Sequence, residues 1–111
     1  MKSAYFAKKT LMAGFTTVRD LGSSAEQSFA LRDAIKRGWV DGPRIVAAGT
    51  SVAVTGGHGD VDGMAPDLMK LHTAETVCDG PYDCRRATRH AIKYGADVIK
   101  ITSTGGVLSD T

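Results

Sequence analysis

One phrase, helix then glycine then apolar strand, occurs three times in this chain: MAGFTTV, KRGWVDGPRIVAAG and KYGADVIKI. Parallel neighbours in a sheet can be reached only by long connections, and helices fill such connections as right-handed crossovers. The repeated phrase therefore predicts an α/β fold with parallel strands. Ligands in such folds gather at the carboxyl ends of the strands. Those ends are Asp20 to Ser23, Gly49 to Asp60 and Lys100 to Gly106, which puts two glycine-rich loops and a lysine on one face.

Local chemistry supports each unit. Ala4 to Ala13 reads as the end of a helix, with Lys8 and Lys9 near a C-terminus that Gly14 can close. Phe15 to Asp20 is a strand, broken by Leu21-Gly22-Ser23. Ser24 and Gln27 have capping-box spacing ahead of a helix marked by Phe29, Leu31, Ala34 and Ile35, which ends at Gly38. Arg44 to Ala48 is a short apolar run, consistent with a strand covered on both faces. No periodicity holds from Gly49 to about Asp79. A loop of roughly thirty residues is a functional loop or lid, or carries short structure of its own. Pro81 opens a third helix with an apolar stripe of Cys84, Ala87, Ala91 and Ile92 and a basic opposite face. Ala96 to Ile101 is the third strand, and Thr102 to Thr111 leads away from it as a loop.

With 42% apolar and 23% charged residues, the 111-residue chain suits one soluble globular unit. Fourteen basic against twelve acidic residues give a formal charge of +2, too small and dispersed to indicate nucleic acid or a membrane surface as partner. No apolar run approaches the roughly 20 residues of a membrane span, and MKSAYFAKKTLMAG lacks a secretory apolar core, so a cytoplasmic location is the default expectation. Cys78 and Cys84, in CDGPYDC, match neither a redox CxxC nor a paired zinc pattern and read as ordinary small buried or half-buried residues.

Lys100 stands among Val98, Ile99 and Ile101. It is either a strand-end lysine whose ammonium snorkels to solvent or an amine with chemistry to do, as a Schiff base, a general base or a carbamate formed with carbon dioxide. His58 sits in TGGHGD, where flanking glycines let the backbone approach a ligand. The alternative is an exposed loop histidine without a role. His72 and His90 read as surface residues, and neither His-x-His nor HExxH is present. Gly56-Gly57 and Thr104-Gly105-Gly106 are either anion-binding backbone or plain turns. Arg19-Asp20 reads as an ion pair or loop brace rather than a catalytic dyad.

Taken together, AGFTTVRDLG, GPRIVAAG, TGGHGD, CDGP and GADVIKITSTGGV resemble the amidohydrolase superfamily, in its imidazolonepropionase-like and prolidase-like dipeptidase branch. The resemblance covers nearly the whole chain. It implies a (β/α)8 TIM barrel, of which residues 1–111 would be a partial domain matching strands two to four. It also implies a binuclear zinc centre at the carboxyl face, with Lys100 as the carboxylated lysine bridging two zinc ions and His58 binding substrate. The implied reaction is hydrolysis of an amide or peptide bond in a small peptide by zinc-activated hydroxide, with an aspartate moving the proton. The family's strand-one His-x-His, later histidines and strand-eight aspartate have no counterpart here, so the chain holds no catalytic residue of its own. Three or four βα units also cannot close a barrel of eight. The expectation is a fragment of a longer enzyme, inactive when isolated, that folds against the remaining barrel segments or by self-association. The competing readings are a noncatalytic α/β fragment and a phosphate-binding barrel that uses Lys100 as a Schiff base.

Overall fold

The computed structural model describes residues 1–108, so the last three residues of the loop expected after Thr102 lie outside the described residues. In chain order the elements are α1 (Lys2–Met12), β1 (Thr17–Asp20), α2 (Ala25–Lys36), β2 (Arg44–Ala47), β3 (Val52–Ala53), α3 (Pro66–His72), α4 (Gly80–Lys93) and β4 (Ile101–Thr102). Strand β1 pairs in parallel with β2, Val18 opposite Ile45. Strand β3 pairs in parallel with β4, Val52 opposite Ile101. The glycine of each repeated phrase has a mechanical role: Gly14, Gly38 and Gly95 follow α1, α2 and α4 with φ of +102°, +76° and +116°. A left-handed residue there ends the helix and aims the chain at the next strand.

The two strand pairs are parts of one path. The Asp97 N–H donates to the Ala47 carbonyl at 2.8 Å, and the Val52 N–H donates to the Lys100 carbonyl at 2.8 Å. The segment from Asp97 to Thr102 thus runs first along the end of β2 and then along β3. The break between β2 and β3 falls at Gly49, where a Cβ would lie 2.8 Å from Phe29 Cζ and 3.0 Å from Ala25 Cβ. Helix α2 packs so closely on that turn that only glycine fits. Arg32 on α2 adds a polar tie, donating to the Gly95 carbonyl at 2.6 Å and to Asp97 Oδ2 at 2.9 Å.

The buried core is made of small residues, among them Ala47, Ala48, Val52, Ala53, Cys78, Ala87 and Ala91. Such residues let helix and sheet approach closely. One cluster joins Val52, Cys78 and Ala87, with Cys84 and Ile99 packed against it, and so locks α4 to the strands immediately before Lys100. Large apolar side chains, including Phe15, Trp39, Ile101 and Leu108, stay exposed. Among the described residues no helix is long and apolar enough to cross a membrane.

Three local expectations are corrected. Cys78 and Cys84 form a disulfide, with Cα atoms 4.9 Å apart, rather than standing as two ordinary thiols. Gly80, at φ +77°, folds the chain back so that the first turns of α4 return Cys84 to Cys78. The third strand is shorter than Ala96 to Ile101 and shifted toward the C-terminus, because ladder pairing is regular only at Ile101–Thr102, the second of which was expected to be loop. Ser24 does occupy the N-cap of α2, but its side chain makes no capping bond. The long aperiodic segment carries both β3 and α3, whose two and seven residues are too short to show a period.

Candidate functional site

The loop after β3 is a small self-contained fold. The Gly57 N–H donates to the Val54 carbonyl at 2.9 Å and the Asp60 N–H to the Gly57 carbonyl at 3.0 Å, making two successive turns. Asp60 closes the loop by accepting the Gly56 N–H at 2.8 Å and the Val61 N–H at 2.8 Å. The Gly56 and Gly57 amides are thereby engaged within the loop, so the anion-binding reading of that pair fails and the plain-turn reading stands. At Gly59 the loop folds onto the strand ends: a Cβ there would lie 2.7 Å from Ala53 Cβ, 2.8 Å from Ser51 Oγ and 2.9 Å from Thr102 Oγ1. Any side chain would lift the loop off β3 and β4.

His58 is exposed at the tip of this loop. Its imidazole lies over Gly106, where a Cβ would come 2.8 Å from His58 Cγ and closer still to the Nδ1 edge of the ring. The two glycine-rich loops that follow β3 and β4 therefore meet, as the carboxyl-end argument requires. Lys100 is half-buried and lies just before β4. Ile99 packs with the cluster against α4. Alternation along an extended chain then turns Lys100 to the opposite face, which it shares with Thr102. Thr102 is the residue that meets Gly59. Among the described residues no ion pair engages the Lys100 ammonium.

A second anchor of the His58 loop has no local signal in the sequence. Asp79 Oδ2 accepts the Thr55 hydroxyl at 2.6 Å, and Oδ1 accepts the Thr55 N–H at 3.2 Å. Asp79 is the N-cap residue of α4, yet its side chain makes no bond to that helix. An aspartate before Gly-Pro is ordinarily a helix cap, which hid this role. Its own N–H donates to Asp83 Oδ2 at 2.9 Å. Arg86 bonds Asp83 at 2.7 Å, and that bond, followed by the Asp79 N–H, holds the Asp83 carboxyl below the usual range. Asp20 bears out the loop-brace reading by accepting the Ser23 hydroxyl at 2.6 Å and the Gly22 N–H at 3.2 Å.

Among the described residues no three His, Cys, Asp or Glu side chains converge where a metal ion could sit. No reaction step follows from these residues through a metal.

The sequence pattern of the amidohydrolase family matches residues 2–111. Ochratoxinase of Aspergillus niger is 31% identical across 91% of this chain, which spans only 23% of that protein. The crystal structure of a Xaa-Pro dipeptidase with bound methionine in its active site is 46% identical, with a TM-score of 0.81, over 97% of this chain and 26% of the other. A prolidase complexed with N-methylphosphonate-L-proline is 37% identical, with a TM-score of 0.76, over 97% of this chain and 27% of the other. A parallel α/β arrangement that superposes on these proteins over nearly its whole length, and a family pattern that runs from end to end, agree: the chain belongs to the amidohydrolase family.

Proposed function

We infer that these residues form the lysine-bearing part of an enzyme that hydrolyses amide or peptide bonds in small peptides or N-acyl amino acids. The observation that carries this reading is the meeting of the two strand-end loops, His58 over Gly106 and Gly59 against Thr102, beside the strand that Lys100 immediately precedes. The dipeptidase, prolidase and ochratoxinase likeness supports an amide substrate. In this reading His58 binds the substrate's carbonyl or carboxylate. Lys100, carboxylated by carbon dioxide, would be the ligand this segment contributes to a pair of zinc ions whose remaining ligands these residues do not supply. When bound, such a metal pair would supply a nucleophile from water near neutral pH.

Zinc content and hydrolysis of Xaa-Pro dipeptides and N-acyl amino acids, measured in the intact protein, test this reading. Lys100→Ala is expected to lower kcat/KM by about 100-fold or more and to lose metal, as removal of a metal-holding group should. Short carboxylates added to that variant should restore part of the activity by standing in for the carbamate. Wild-type activity in Lys100→Ala sinks the assignment. A second reading, a noncatalytic α/β segment that folds against a partner or a copy of itself, is favoured only by the exposed Phe15, Trp39, Ile101 and Leu108. The remaining barrel segments would cover the same residues.

A further inference from the structure

Cys78 and Cys84 bracket Asp79, the residue that anchors the loop of His58. The Cys78 N–H donates to the Ala53 carbonyl at 2.8 Å, two residues before Thr55. Cys78 is buried with Val52 and Ala87, and Cys84 packs on the same cluster from the first turns of α4. The disulfide therefore ties both sides of Asp79 to the end of β3. With its backbone N–H held by Asp83, Asp79 is left with its carboxylate directed at Thr55.

We propose that Asp79 is a positioning residue for the His58 loop and that the Cys78–Cys84 disulfide sets its position, so that the thiol-disulfide state of this pair governs the order of the loop. This rests on the reading of His58 as a substrate contact. A dithiol reductant opens the bond by thiolate attack on one sulfur. The S–S bond breaks and a mixed disulfide forms. The reductant's second thiol then displaces the remaining protein sulfur, so that two electrons and two protons pass to Cys78 and Cys84. Freed from its cross-link, the turn at Gly80 relaxes, Asp79 leaves Thr55, and the loop loses that anchor. Reoxidation reverses each step. A reducing compartment favours the open form and an oxidising one the closed form.

The test uses the intact protein, untreated and after dithiothreitol, with Thr55→Val as the variant that removes the anchor's hydroxyl while leaving the disulfide in place. Hydrogen exchange over residues 54–60 is read by mass spectrometry, alongside thiol alkylation and steady-state hydrolysis. Reduction is expected to accelerate loop exchange by about tenfold, reversibly, and Thr55→Val to do so without reductant. KM should rise several-fold in both cases with kcat changed less than about twofold, a split that a general loss of fold would not produce. Unchanged loop exchange in fully reduced protein overturns the proposal, and so does ready alkylation of both cysteines in untreated protein. A protein that hydrolyses no amide substrate refutes the proposed function, while the exchange measurement still decides whether the disulfide and Asp79 order the loop.

Discussion

At the scale of single residues, two glycines carry more of the site than its polar groups do. Gly59 and Gly106 are sites of close approach, one against the strand ends and one beneath the His58 ring. Gly106→Ala places a methyl group where the imidazole lies, and because the ring is a movable side chain the fold should yield there cheaply. Stability is expected to change by less than about 1 kcal/mol, while KM rises several-fold as His58 is displaced. Gly59→Ala meets Ala53 on β3, Thr102 on β4 and Ser51 just before β3, which cannot move as easily. Overpacking of that kind costs about 1–3 kcal/mol, to be read in urea unfolding. The tight turn that carries His58 was legible in the sequence because glycines surround it. Asp79 was not, because its use depends on Thr55, a residue 24 positions earlier.

At the scale of elements, the helices could be read from their stripes and end glycines, and the ties between them could not. Arg32 reaches across 65 residues to Asp97. The Ala47 N–H, which donates to Asp97 Oδ2 at 3.1 Å, and then Arg32 hold the Asp97 carboxyl below the usual aspartate range, against the opposing effect of burial. A carboxyl depressed in the folded state stabilises above its unfolded value of about 3.9 and loses that contribution as pH falls through the lower folded value. Acid unfolding should therefore begin below about pH 4. Asp97→Ala should make the acid limb shallower and cost about 1 kcal/mol at neutral pH, discounted because the side chain is 43% exposed. Closing the short ring between Cys78 and Cys84 contributes roughly 2 kcal/mol on a chain-entropy basis, which suffices to fix the first turns of α4.

At the scale of the whole molecule, the described chain is more open than a finished domain. Its radius of gyration is 15.3 Å and its extents are 41 × 27 × 23 Å. A compact domain of this length has a radius of gyration of roughly 13 Å. The strand pairs keep open edges, and Trp39, Phe15 and Ile101 lie exposed. Unpaired edges and uncovered apolar side chains associate. Residues 1–111 expressed alone should sediment as a concentration-dependent oligomer and bind little metal. A stable folded monomer would count against a barrel segment that needs further strands.

The amino-acid sequence by itself determined the alternation of helices with parallel strands, the glycines that end α1, α2 and α4, and the face on which His58 and Lys100 fall. Each of these follows from local periodicity and backbone preference, which act over a few neighbouring residues. Only the tertiary structure decided that β2 and β3 are divided where α2 presses on Gly49, that Cys78 and Cys84 are joined, and that Asp79 anchors Thr55. Those outcomes depend on the close approach of residues distant along the chain, and the distances between them are set by small-residue packing that no local pattern encodes.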